Sequence, residues 1–471
     1  MGLVIVSGPT ENRGREQDAI LTVTALSDHD GESVTSLDRL RPPMTVVGLD
    51  DTDSRAGMCT TYVAARVAED LRARGAAVER LLLVRLNPAV EHKTRGNAAL
   101  AVHTDAEPEV ALTVARERVA ALAEVDAPDT NPGVVVADHG PAGAPDDVAA
   151  FARAAVRDHL DRDGARALAD AAGYDRAGWG NERGTVGALA AVGAWAAGEG
   201  PGDVLGEWTV ERIAYRERDR WGTPRDVDRD SLFAAADDAY PRAWDTVDRG
   251  TGDAVCVPNT PCPILYGVRG DDPDAVDAVA AAVESEPVAR SALFTTNQGT
   301  DAHLRDGRVD DVADGRAYCV DGTVVEAPET REGGHVFLAV EDDGATLPCA
   351  AFEPTKRFRD HVRSLRVGDR VTACGEVQRG TLKLEKFAVG DLVGTEPATP
   401  DCPDCGRSME SAGADQGYRC RDCATTAPGK VDRPVERDLE PGWYEVPPVA
   451  RRHLAKPLVR GGFDGVTHPE R

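Results

Sequence analysis

Apolar residues along the chain recur at two spacings. An unbroken β-type run over 46–49 is followed by Val63, Val67 and Leu71 on one helical face, which predicts a strand over 45–49 and a helix over about 58–74. The same reading gives strands over 81–86 and 98–103, a helix over 108–123 and a strand over 133–137. That order, βαββαβ, is ferredoxin-like: an antiparallel sheet with two helices on one face, with the loop after the first strand expected at an edge of the sheet. A glycine-rich entry then opens a helix over 185–197.

Further on the pattern changes. A run over 256–269, an apolar helix over 275–285 and a run over 291–303 read as a βαβ piece, hence a second, small α/β domain. Strand-type runs over 323–325, 335–340, 346–352, 370–377 and 382–389, with a helix over 354–365 between the third and fourth, have OB-fold order. Such a barrel commonly holds single-stranded nucleic acid, and it also serves for packing alone. The fold class expected is multidomain α+β: a βαββαβ catalytic region over 44–245, a small α/β domain over 246–320, an OB-fold over 321–395, a cysteine-bearing ribbon over 400–425 and a tail over 426–471. Residues 1–43 have few periodic apolar positions and end at Pro42-Pro43. They read as an unstructured leader or as sequence upstream of a true start at Met44.

Charge alters the picture of the surface. Asp and Glu number 81 against 54 Lys and Arg, a net charge of −27, and lysine occurs only at 93, 356, 383, 386, 430 and 456. An acidic, lysine-poor surface is what a protein needs to stay hydrated at high intracellular salt, so the charge describes a halophilic setting and does not exclude an RNA partner. Under such screening RNA would be held by shape, stacking and a few local arginines. With no run of about 18 apolar residues and no signal-peptide order at the start, the sequence predicts a cytoplasmic protein without a membrane segment, and no obligate protein partner is evident. Cys59, Cys256, Cys262, Cys319, Cys349 and Cys374 show no disulfide spacing and are expected to be reduced, with Cys256 and Cys262 structural.

The candidate chemistry is concentrated in a few loops. In Gly-Leu-Asp-Asp-Thr-Asp-Ser-Arg-Ala-Gly-Met-Cys-Thr-Thr (48–61) a strand ends in Asp50, Asp51 and Asp53, and a helix begins near Thr60. Carboxylate oxygens suit Mg²⁺ and a helix amino end suits phosphate, so the loop reads as a metal-nucleotide site or as an Asp-rich turn with a Thr cap. No Walker A sequence occurs. The loop over 86–97 carries Lys93, Arg95 and Asn97 and reads as a ligand loop or a solvated hairpin. Segments 129–136 and 179–188, the second with Asn181 and Arg183, again place Gly and Asn before an apolar element. The arginines at 216, 218, 220 and 225 read as a solvated face. Lys356, Arg357 and Arg363 incline the barrel towards RNA, while Arg451, Arg452, His453 and Arg460 read as an RNA contact or a solvated end. The strongest local signal is Cys402-Pro-Asp-Cys405 with Cys420-Arg-Asp-Cys423. Two CxxC knuckles make a closed four-thiolate site for structural Zn²⁺, a zinc ribbon.

DDTDSRAGMCTTY, LNPAVEHKTRGNAA, DTNPGVVV, GWGNERGTVGALAA, PCPILYGVRG, TNQGTDAHL and the two CxxC pairs together resemble the archaeal tRNA(Ile) 2-agmatinylcytidine synthetases. The resemblance runs from about 44 to 423. It implies a kinase-like catalytic region in which Asp50, Asp51, Asp53 and Thr60 are catalytic, Thr60 becoming phosphorylated. It also implies an enzyme that uses ATP and agmatine to modify the wobble cytidine of the isoleucine tRNA with a CAU anticodon, so that it reads AUA. Activation of the cytosine 2-keto oxygen by phosphorylation would precede attack by the agmatine amine. Gly57, Thr61, Lys93, Asn181 and Arg183 join the candidates for ATP and magnesium, and Arg95, Asn97, Lys356, Arg357 and Arg363 those for RNA. The alternatives are an RNA-binding protein without this catalysis and a small-molecule kinase.

Overall fold

A computed structural model describes residues 44–94, 96–199 and 204–471. The expectations for the leader at 1–43 and for Arg95 lie outside the described residues. The first unit runs β1 (Thr45–Asp50), α1 (Thr60–Ala73), β2 (Val78–Arg85), β3 (Ala98–Thr104), α2 (Pro108–Leu122) and β4 (Gly133–Ala137). Its strand order, β4-β1-β3-β2, with β1 antiparallel to both neighbours, is the ferredoxin-like one. The loop after β1 is therefore not at an edge. β1 is an internal strand, and the acidic loop leaves its carboxyl end deep in the sheet.

Val47 and Leu49 of β1 pack with α1 and α2 in one core, whereas Val46 packs in a second core formed by α3 (Asp146–Arg157), α4 (Arg162–Ala171) and α5 (Thr185–Gly193). Both faces of β1 are covered, which is why it reads as a continuous apolar run and not as an alternating one. β5 (Asp175–Gly178) closes this side of the sheet against β4.

A second βαββαβ unit follows: β6 (Thr209–Arg216), α6 (Arg229–Ala239), β7 (Ala243–Trp244), β8 (Ile264–Gly270), α7 (Pro273–Ala282) and β9 (Val288–Thr296). Its order, β9-β6-β8-β7, repeats that of the first unit, and the parallel pairing of β2 with β9 joins the two into one nine-stranded sheet. The unit thus begins at β6, ahead of the boundary expected at 246. Two of the four arginines read as a solvated face are not on one, while Arg218 is exposed. Arg216 is buried against Glu286 at 2.6 and 2.9 Å, and Arg225 donates to the carbonyls of Ile264 and Thr260 at 2.8 Å.

After β10 (Leu304–Gly307) come β11 (Arg316–Thr330), β12 (Val336–Asp342), β13 (Ala345–Ala351), α8 (Phe358–Arg363), β14 (Arg370–Gln378) and β15 (Thr381–Val389). The pairings β11-β12-β13-β15-β14-β11 close a five-stranded barrel of OB topology. Cys319 and Cys374, expected to be reduced, form a disulfide here: they are direct partners in the β11–β14 register, a juxtaposition that a separation of 55 residues conceals.

The ribbon's short strands, Glu410–Ser411, Tyr418–Arg419 and Thr426–Ala427, form a three-stranded sheet reached through a stem in which Thr395–Ala398 pairs with Val431–Pro434. The segment over 442–471 is neither a solvated end nor a set of free cations. Strand Gly442–Glu445 adds to β15, and Leu454, Ala455 and Leu458 are buried. Arg451 lies buried between Asp245 and Glu445 at 2.7 and 2.8 Å. Among the described residues no helix is long and apolar enough to cross a membrane.

Candidate active site

The carboxyl end of β1, the amino end of α1, the 87–97 loop, the entry to α5 and the inner strands of the second unit surround a cavity of about 600 Å³. Asp50, Asp51, Asp53, Thr60, Thr61, Lys93, Asn97, Asn181 and Arg183 all line it, so most of the candidate residues are brought together. Gly57 is not in the wall; it sits inside the acidic loop, where its carbonyl accepts from Ser54 N at 3.0 Å.

Asp51 adopts a φ of 57°, which turns its side chain towards Arg183. Its Oδ2 accepts from Arg183 Nη2 at 3.0 Å and from the Asn131 backbone N–H at 3.1 Å. Asp50 Oδ1 accepts from the Asp51 N–H at 2.7 Å. Burial, then the neighbouring Asp51 charge, holds the Asp50 carboxyl well above its ordinary range. Burial raises Asp51 as well, against the pull of Arg183. Asp50 and Asp51 are partly buried and Arg183 bonds Asp51 alone, so the charged form of the pair is penalised until a cation arrives to share it. Only the four cysteines, among the described residues, bring three or more such ligand atoms within 4.8 Å, so the three aspartates do not converge on a point. That suits Mg²⁺, which takes one or two carboxylates and completes its shell from water and substrate phosphate.

Thr60 opens α1, and its hydroxyl accepts from Thr52 Oγ1 at 3.1 Å, with both side chains buried. Cys59 precedes it without a side-chain cap, and Tyr62 N–H donates back to Cys59 O at 3.0 Å, so the first turn is partly satisfied within the chain while its positive end still lines the cavity. Burial pushes the Cys59 thiol up to about 11, which keeps it protonated beside that end. Segment 181–187 touches the loop closely through glycine. A Cβ at Gly187 would stand 2.0 Å from Asp50 Oδ2, and one at Gly184 2.7 Å from Asp50 O. Gly187→Ala is expected to displace Asp50, at about 1–3 kcal/mol of overpacking, and to weaken nucleotide binding by about tenfold or more; calorimetric titration with a non-hydrolysable ATP analogue checks it.

Other candidates are taken up within the chain. Lys93 Nζ donates to the carbonyls of Pro88 and Val90 at 2.5 and 2.8 Å, and Asn97 Nδ2 to that of Asn87 at 3.0 Å, so both shape the loop they belong to. Asn181 Oδ1 accepts from Arg183 N at 2.9 Å. On the barrel, Arg357 pairs with Asp248 at 2.9 Å and with Glu470 at 2.5 Å, and Arg363 with Thr330 at 3.0 Å and Asp360 at 2.5 Å. Lys356 stands 3.8 Å from Glu353.

Sequence reasoning missed the far wall. Glu211, on β6, is buried, lines the cavity and lies 3.3 Å from Arg269 and 3.9 Å from Arg85, with Oε2 lacking a hydrogen-bond partner. In the sequence it stands in a mixed, charged stretch with no motif to mark it.

The ribbon's Sγ atoms of Cys402, Cys405, Cys420 and Cys423 all lie within 4.8 Å of one another, a donor set that fits tetrahedral zinc with no position left open. A cavity with clustered carboxylates and a helix amino end, joined to an OB barrel and a cysteine ribbon, defines a phosphate-handling enzyme equipped for nucleic acid. Family models agree in detail: the TiaS TCKD domain matches residues 46–181, the TiaS FLD domain 182–303 and the TiaS C-terminal zinc ribbon domain 399–439. The isoleucine-tRNA 2-agmatinylcytidine synthetase TiaS of Haloquadratum walsbyi is 51% identical over 469 residues, covering 91% of this chain and 100% of its own. The crystal structure of TiaS in complex with its isoleucine tRNA and ATP matches with a TM-score of 0.81 at 40% identity, and that of TiaS with the tRNA, AMPCPP and agmatine with 0.79 at 37%. Each covers 91% of this chain and 100% of the solved one. The chain belongs to the TiaS family.

Proposed function

We infer that this protein joins agmatine to carbon 2 of the wobble cytidine of the isoleucine tRNA with a CAU anticodon, with consumption of ATP, in the cytoplasm. The observation that carries the reading is one cavity in which the acidic loop, the amino end of α1 and the carboxylate of Glu211, whose Oε2 accepts no hydrogen bond, face one another, in a chain whose full-length relatives carry this activity in their names.

The chemistry divides among the walls. The 2-keto oxygen of cytosine is a poor leaving group; its phosphorylation turns it into one, and the agmatine amine then displaces phosphate at carbon 2. The positive amino end of α1 at Thr60 and the guanidinium of Arg183 orient the transferring phosphoryl group, so positioning and charge supply most of the catalysis. Asp50 and Asp51 would hold Mg²⁺, which when bound neutralises phosphate charge. Glu211 Oε2 takes an N–H of the cationic agmatine, since a buried carboxylate oxygen gains most from a charged donor. The barrel and the zinc-bearing ribbon hold the tRNA by shape and stacking.

ATP cleavage by the purified protein is expected to require both agmatine and a tRNA with a CAU anticodon. Phosphate-release assays that omit each component in turn test this. Turnover that persists without tRNA would instead favour a small-molecule kinase.

A further inference from the structure

The segment over 442–471, which follows the last family-model match at 439, touches three bodies at once. It is fastened to the second unit and to the barrel by its own ion pairs: Arg451 to Asp245, Lys456 to Glu207 at 3.1 Å, and Arg460 to Asp271 at 2.6 Å. Arg452 forks onto Glu376 and Glu385 of β14 and β15 at 2.7 and 2.5 Å. Between these fastenings lies His453, half-buried, with its Nε2 shielded from solvent and its ring 5.4 Å from that of His303. Burial and the surrounding arginines hold both rings neutral.

What His453 meets is the cavity loop. A Cβ at Gly96 would stand 3.8 Å from its imidazole and 2.9 Å from Arg85 Nη1, so the loop lies directly against this ring and that guanidinium. The loop's other end is tied to the barrel's approach through Asn87 Nδ2, which donates to Gly315 O at 3.0 Å. Glu376, Arg452 and Lys383 are, after burial, the chief charges acting on Lys93. The 87–97 loop therefore has one face in the cavity and the other on the barrel and this segment.

We propose that the 442–471 segment is a strap that seats the cavity loop against the barrel, with Arg452 and His453 as positioning residues for the active-site wall that carries Lys93. Neither touches the reacting atoms; His453 acts by filling space and Arg452 by fixing the strap where it passes the loop. The turnover readout rests on the ligase reading, whereas the exchange readout does not.

The test is amide hydrogen exchange of the full-length protein at residues 90–94, with steady-state kinetics alongside. His453→Ala is expected to speed exchange there by about tenfold or more while β14, β15 and the ribbon keep their protection. It is also expected to raise KM for ATP severalfold with a smaller change in kcat. His453→Phe, which refills the space, restores both, and Arg452→Lys lies between Arg452→Met and wild type. Exchange at 90–94 that is unchanged in His453→Ala, or that rises equally across barrel and second unit, overturns the proposal. Loss of loop protection in His453→Ala, where the wild-type protein itself transfers no agmatine, would uphold the strap and refute the reaction.

Discussion

Asp51→Asn is expected to lower the rate of agmatine transfer on the order of 10²- to 10³-fold, the usual effect of removing one preorganised electrostatic partner from a catalytic site. The substitution keeps shape, and an amide oxygen can still accept the Asn131 N–H that lies 3.1 Å from Asp51 Oδ2. What disappears is the charge that holds Arg183 at 3.0 Å and that an incoming cation would share with Asp50. Because Asp50 loses a like-charged neighbour, its carboxyl falls towards the ordinary range, so folding is preserved or strengthened while turnover collapses. Single-turnover assays with a thermal melt on the same sample separate these outcomes. Asp163→Asn, at the cavity rim, is the control that assigns the loss to the centre and not to acidic residues in general.

Cys402→Ser, or removal of zinc by a chelator, is expected to unfold the ribbon and abolish tRNA modification while leaving nucleotide binding within about twofold. The ribbon's own core is only Cys402, Met409 and Cys420, with Tyr418 and Ala427 against it. Such a core cannot stabilise three two-residue strands. Zinc in a four-thiolate site supplies about 10–16 kcal/mol in comparable small domains, most of what this one has. The stem of Thr395–Ala398 with Val431–Pro434 separates the ribbon from the cavity, which is why the loss should be confined to RNA handling. Zinc content by mass spectrometry, together with filter binding of tRNA and titration of an ATP analogue, checks all three parts.

How far the sequence announced this molecule depended on how each element is buried. β1 to β4 are covered on both faces or packed on α1 and α2, so their apolar runs marked them to within a few residues. β6 was invisible for the opposite reason: its Glu211 and Arg216 are buried charges that meet partners from β8 and from beyond α7, so the strand reads as polar surface. The second unit's start was misplaced as a consequence. The 442–471 strap read as a tail because its fastenings are ion pairs and two short strands, Gly442–Glu445 and Thr467–His468, none of which leaves a period. Barrel arginines seemed free for RNA, yet Arg357 is paired with Asp248 and Glu470, partners 109 and 113 residues away. In the site, the loop's carboxylates were legible as a dense motif, whereas Glu211 required the sheet to bring β6 opposite β1.

The most direct test is mass spectrometry of the anticodon nucleosides of the unmodified isoleucine tRNA with a CAU anticodon, after reaction with the purified protein, ATP, Mg²⁺ and isotopically labelled agmatine in high salt. The account predicts the label at the wobble cytidine alone, and only with ATP present. Tightly bound tRNA recovered without label, or label at any other nucleotide, would contradict it.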